Sequence, residues 1–283
     1  MNISVSYYSY SQYIRAGKMT QFDTVSKAKE MGFEGIEFTD IIADGYEAQK
    51  EMAKKIHDEA ERVGIEIVAY TIGANLFQEN AEAAEAEVER LKRQVDIAKI
   101  LGAKVMRHDV CYKLGSTGNS RSFDLMLPTI AANARKVTEY AATLGIRTCS
   151  ENHGFIAQDS DRVERLFNAV DHDNYGLLVD MGNFLCVDED PIHAVSRVAP
   201  YAFHVHAKDF RYNSLNKGIM TRGANYISGT VIGEGVVPVR QCLAILKRAG
   251  YDGFCSIEYE GSEDCIAGIA KGIENLKSFI EQI

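Results

Sequence analysis

The chain has no apolar run approaching the roughly 18 residues that a membrane span requires. Its first residues, MNISVSYYSYSQYIRAGK, have no positively charged stretch ahead of an apolar one, so nothing there reads as an export signal. The six cysteines (Cys111, Cys149, Cys186, Cys242, Cys255, Cys265) form no CxxC pair. Several sit inside apolar runs as small hydrophobic residues would, which points to reduced, structural thiols. Basic residues are also in deficit: 31 Lys and Arg stand against 40 Asp and Glu, a net charge of −9. Phosphate contacts need a basic surface, so this balance argues against a nucleic-acid partner. No low-complexity linker divides the chain. These absences leave a soluble, cytoplasmic, metabolic protein as the expectation.

With 283 residues and 46 % hydrophobic content the chain can bury a large core, and one α/β barrel of about 250 residues would account for it. Short β-branched runs alternate with longer amphipathic ones. Strands are expected near residues 3–8 and in GIEF, IEIVAYT, AKVMRHD, IRTCSE, GLLVD, AFHVHA and FCSIEY. Helices are expected over 22–31, 46–63, 79–101, 122–144, 161–170, 191–198, 239–249 and 264–280. The stretch 209–235 reads as long and irregular. Three helix ends carry the same punctuation, KEMGFEGIEF, KILGAKVMR and KRAGYDGFCSIE, in which a glycine after the last turn takes the left-handed conformation before the next strand. Eight strand and helix pairs predict a single-domain (β/α)₈ TIM barrel spanning 1–283, in preference to an open doubly wound sheet.

Four residues close the apolar runs expected as strands five to eight: Glu151, Asp180, His206 and Glu258. Strand ends of that kind meet at the upper rim of a barrel, where such folds place their chemistry. Three carboxylates and one imidazole form a donor set suited to Mn²⁺ or Mg²⁺, with Co²⁺ and Zn²⁺ as competitors. Without a cation the three negative charges would repel, unless some carboxylates are protonated or each has its own lysine or arginine.

The segments ENHG, VDMGN, HVHAKDF, the GEG of Gly233 to Gly235 and SIEYEG together resemble the sugar phosphate isomerase/epimerase superfamily, the xylose isomerase-like barrels that include ketose 3-epimerases and inosose-processing enzymes. The resemblance covers nearly the whole chain. It implies that Glu151, Asp180, His206 and Glu258 bind one divalent ion, and that Glu151 and Glu258 flank the carbon that loses its proton. It also implies a sugar or polyol substrate and a homodimer or homotetramer. Removing a proton beside a carbonyl gives an enediolate, whose charge a metal can stabilise. Epimerisation then needs an acid on the opposite face, a role for the second glutamate, while expulsion of a β-leaving group would make a lyase or dehydratase instead. A binding protein that keeps the pocket without the chemistry is a third reading. Apurinic endonucleases of the same superfamily carry a histidine where Asn183 stands and an Asp-x-His where this chain reads Ser228, Gly229, Thr230, so their additional metal ligands are missing.

Candidate substrate contacts are His108 at the end of strand four, His153, Lys208, and the loop arginines Arg211 and Arg222. Each has a plainer reading. His108 could bond Asp109 or backbone, Lys208 could pair with Asp209, and loop arginines are usually solvated. His204 is expected as a core histidine one layer below His206, and His57, His172 and His193 have no assigned role. Tyr7, Tyr8 and Tyr10 could close the pocket with their aromatic faces or simply pack the barrel. GEG lacks the spacing of a phosphate loop and reads as a turn into a helix.

Overall fold

The computed structural model describes residues 1–215 and 217–283. Its elements follow the expected alternation. Strand β1 (Asn2–Ser6) leads through a short α1 (Ser11–Arg15) to α2 (Asp23–Glu30), followed by β2 (Gly35–Thr39), α3 (Tyr46–Val63), β3 (Glu66–Ile72), α4 (Ala81–Leu101), β4 (Val105–His108) and α5 (Phe123–Thr143). The second half continues with β5 (Arg147–Glu151), α6 (Ser160–Val170), β6 (Tyr175–Asp180), α7 (Pro191–Val198) and β7 (Ala202–Ala207). Then come β8 (Asp209–Tyr212), β9 (Ile219–Met220), β10 (Tyr226–Thr230), α8 (Val239–Arg248), β11 (Phe254–Ile257) and α9 (Cys265–Glu281).

Eight of these strands close a parallel barrel in the order β1-β11-β7-β6-β5-β4-β3-β2, with helices outside. This is the predicted (β/α)₈ fold. Helices start where a side chain can accept an otherwise unpaired amide: Asn80 caps α4, Ser122 α5, Asp159 α6, Asp190 α7 and Asp264 α9. The three punctuating glycines, Gly32, Gly102 and Gly250, have φ of +85°, +81° and +92°, as their sequence setting required. The stretch 209–235 differs from expectation, because it holds the antiparallel sheet β8-β10-β9. Strands of two to five residues with interior glycine leave too little alternation to read.

The barrel interior is layered. At the bottom Val68, Ala69, Val105, Cys149 and Leu178 pack with Phe203 and Phe254 into an apolar plug. Above it the filling turns polar: Ser4 bonds Ser256 across the β1–β11 seam at 2.6 Å, and His204 Nε2 bonds Glu37 at 2.7 Å. The larger apolar core lies between barrel and helices. All six cysteines are buried and unpaired. No helix among the described residues is long and apolar enough to cross a membrane.

Candidate metal centre

Successive side chains of a strand point to opposite faces, so the inward set of each barrel strand is fixed by one residue of the plug. From Cys149 on β5 the count reaches Glu151, and from Leu178 on β6 it reaches Asp180. From Phe254 on β11 it passes Ser256 and reaches Glu258, one residue beyond the strand. On β7 a register irregularity beside Phe203 puts His204 and His206 inward. The structure therefore gathers Glu151, Asp180, His206 and Glu258 at the upper rim, with one donor atom from each lying within 4.8 Å of all the others.

His206 is the hub. Its Nδ1 stands 3.7 Å from Glu151, 3.8 Å from Asp180 and 3.6 Å from Glu258. Its Nε2 faces the other way and meets Glu37 at 2.8 Å, a contact that crosses the barrel from β7 to β2. Glu37 can only accept, so Nε2 carries a hydrogen and in the neutral ring Nδ1 offers its lone pair to the carboxylates. Glu37, His204 and His206 also form a cluster of ligand types, but their 2.7 to 2.8 Å separations are those of hydrogen bonds.

The carboxylates are individually oriented. Asp180 Oδ1 accepts the amides of Gly182 and Asn183 at 2.8 and 3.0 Å, and Asn152 fixes the Asp180 backbone through paired bonds of 2.8 and 2.9 Å. Asn183 donates to Glu151 Oε1 at 3.0 Å, while Arg107 pairs with Glu151 Oε2. Lys208 Nζ lies 2.5 Å from Glu258, 3.3 Å from Asp180 and 3.6 Å from Glu260, and donates to Asn183 at 3.2 Å. Burial by itself would keep these carboxyls protonated, but Arg107 and His206 hold Glu151 below its usual range, and Lys208 and His206 hold Glu258 far below. Burial would likewise deprotonate His206 and Lys208, yet the surrounding acids raise both well above their ordinary values.

Four buried atoms here have no hydrogen-bond partner: Glu151 Oε2, Asp180 Oδ2, His206 Nδ1 and Glu258 Oε2, one from each residue of the set. Arg107 and Lys208 are near enough to supply charge, but no donor is aligned on these atoms. Unpaired buried polar atoms are costly and few in native proteins, and a divalent cation would satisfy all four. The residues present thus fit a metal ion on the chemistry of the donor set and on their unspent capacity.

Above the rim opens a cavity of about 310 Å³ lined by Glu151, Glu258, Lys208 and His153, with Arg107 and Asp109 on one wall. His153 bonds Asp109 at 2.9 Å, and the Tyr112 hydroxyl reaches the same carboxylate at 3.2 Å. The remaining sequence candidates lie elsewhere. His108 is fully buried on the outer face of β4, bonded to the Asp109 carbonyl and beside the Tyr175 ring, because Arg107 takes the inward position. Arg211 pairs with Glu234, and Arg222 with Asp159 and the Phe155 carbonyl, so neither reaches this cavity. Lys208 pairs with Glu258 rather than with Asp209. Glu37 and Arg107 received no role from sequence, although a charge inside an apolar strand (GIEF, VMRH) is itself a signal that the strand's inner face is polar.

Residues 25–279 match the family described as xylose isomerase-like TIM barrel. The chain belongs to that family. Within it, the chain is 24 % identical over 269 residues to an inosose dehydratase of Geobacillus thermodenitrificans (strain NG80-2), covering 86 % of this chain and 83 % of that one. It is 27 % identical over 253 residues to the rhizopine catabolism protein MocC of Rhizobium meliloti, covering 83 % and 73 %. Among solved structures, D-psicose 3-epimerase from Clostridium cellulolyticum H10, determined with D-tagatose, superposes with a TM-score of 0.77 over 99 % of both chains at 13 % identity, a likeness of fold.

Proposed function

We propose that this xylose isomerase-like barrel is a divalent-metal-dependent enzyme that removes a proton beside the carbonyl of a keto-sugar or related polyol and returns it to give an isomer or epimer. The observation that carries the reading is the convergence beneath the mouth cavity of four buried donor atoms, one per residue, that have charged neighbours but no hydrogen-bond partner. Mn²⁺ suits the set best, ahead of Mg²⁺, Co²⁺ or Zn²⁺. When bound, the ion would polarise the carbonyl and offset the negative charge that develops on oxygen. Glu151 and Glu258 enter the cavity from β5 and β11, which are separated in the barrel by β6 and β7, and so approach a ligand from different sides. One takes the proton and the other returns it. Lys208 holds Glu258 ionised, ready to accept, and His153, fixed by Asp109, donates to a substrate hydroxyl.

A second reading, loss of water from a keto-polyol, is favoured by the unequal surroundings of the two glutamates. Glu151 has Asn183 on one oxygen and Arg107 at the other, whereas the charged neighbours of Glu258, His206 and Lys208, both stand at its Oε2. Glu258 would then be the sole base. His153, whose pKa Asp109 raises against the effect of burial, would protonate the departing hydroxyl. The similarity to inosose dehydratases agrees with this outcome.

Incubation of the manganese-loaded protein in D₂O with D-tagatose, D-fructose and keto-inositols separates the readings. Deuterium gained at the carbon beside the carbonyl, and abolished by chelation, is expected. A stereoisomer then supports the isomerase or epimerase, and a product lacking water supports the dehydratase. Glu258→Gln should slow turnover by about a hundredfold or more under either reading, and Glu151→Gln comparably only under the first. A chain that takes up no divalent ion after reconstitution would overturn both.

A further inference from the structure

Beside the mouth cavity lies a second and larger one, of about 440 Å³. Its walls are the segment that follows β1, the turn that follows β11, and strands β9 and β10 of the small sheet. Tyr8 and Glu260 line both cavities, so the two adjoin at these side chains. The reaction proposed above makes no use of the outer compartment.

Its floor is bare backbone. Gly229 of β10 and Gly261 face each other across an isolated parallel bridge, and a β-carbon at Gly229 would stand 2.4 Å from the Glu260 carbonyl oxygen. The polar groups around that floor have hydrogen-bonding capacity to spare. Among the described residues the Tyr8 hydroxyl, the Arg15 guanidinium and the Ser262 hydroxyl make no hydrogen bond, and Glu260 meets only Lys208, at 3.6 Å. One guanidinium and one carboxylate select for neither sign of charge. Together with an aromatic face they suit an uncharged, hydroxyl-rich ring: the carboxylate accepts from hydroxyls, the guanidinium donates to them, and the ring of Tyr8 covers the C–H face.

We propose that the outer compartment binds a second sugar ring joined to the reacting one, so that the substrate is a two-ring keto-glycoside rather than a lone monosaccharide. The inference rests on the reading of the mouth cavity as the place where the reacting carbonyl lies. From there, a ligand longer than one ring extends past Tyr8 and Glu260 into the larger space that adjoins both side chains.

Calorimetric titration of the manganese-loaded protein with D-fructose and with the keto-disaccharides isomaltulose, turanose and maltulose tests it. At least one disaccharide should bind about tenfold tighter than D-fructose, the gain that one or two added hydrogen bonds supply. Ser262→Trp, in an exposed turn where the fold does not depend on it, should bring the two affinities to within about twofold by filling the compartment, and Arg15→Ala should narrow the gap several-fold. Disaccharides that bind no tighter than D-fructose, or an advantage that survives the tryptophan, overturn the proposal. Deuterium uptake by D-fructose without a disaccharide advantage removes this subsite and leaves the proposed chemistry. An advantage abolished by Ser262→Trp, with no deuterium uptake from any sugar, keeps the subsite and removes the chemistry.

Discussion

At the scale of single residues, Glu37 decides which nitrogen of His206 faces the carboxylates. Burial would raise its carboxyl, but His206 and His204 hold it ionised, so it accepts from both rings. A glutamine there can donate as well as accept, and would let Nε2 rather than Nδ1 be the bare nitrogen. Glu37→Gln is therefore expected to weaken Mn²⁺ binding by about 10- to 100-fold without touching a ligand, read by competition against a chelator. Unchanged affinity would mean that something else fixes the ring. Asp109 makes a pH prediction. Burial pushes its carboxyl up, and Arg107 foremost, with His153 and Tyr112, brings it down to about 2. The folded value lies below the unfolded one of about 3.9, so Asp109 contributes stability above that pH and loses it as pH falls toward about 2. At neutral pH the contribution is about 2 kcal/mol. In urea unfolding of the ion-free protein, the deficit of Asp109→Asn should shrink as pH drops through that window, and a deficit constant with pH would refute the assignment.

At the scale of elements, the turn through GEG is built around a buried carboxylate. Asp209 accepts four backbone amides, from Phe210, Gly233, Gly235 and Val237, at 2.8 to 3.0 Å. A β-carbon at Gly235 would sit 2.1 Å from that carboxylate, so glycine is required for the approach. The turn thus carries its own anion, and the weak likeness of GEG to a phosphate loop has a physical origin. Asp209→Ala should destabilise the chain by about 3 kcal/mol or more through the stranded amides, seen in thermal unfolding. A loss under about 1 kcal/mol would mean water replaces the carboxylate. The turn was legible in sequence but its anchor was not, since Asp209 lies some two dozen residues before Gly233. What could be read was whatever one strand or helix fixes alone: glycine stops such as Gly102, and strands closing in Glu151, Asp180, His206 and Glu258. The two readings of His108 stayed open in sequence because a strand ending in Arg-His points one side chain in and one out. Only the inward facing of Val105 settles which.

At the scale of the whole molecule, all four candidate ligands come from β5 onward, whereas Glu37 and Arg107 come from the first half. The last ligand, Glu258, stands just past β11, the strand that joins β7 to β1 and so completes the ring. The ligand set is therefore complete only once β11, the last strand of the chain, has docked beside β7 across the long segment that separates them. An ion held there acts as a latch on the finished barrel rather than a seed for its formation. Added Mn²⁺ should leave the refolding rate in stopped-flow experiments nearly unchanged and slow unfolding in proportion to the stability it adds. Refolding accelerated to the same degree would place the four donors together, and β11 already docked on β7, in the transition state.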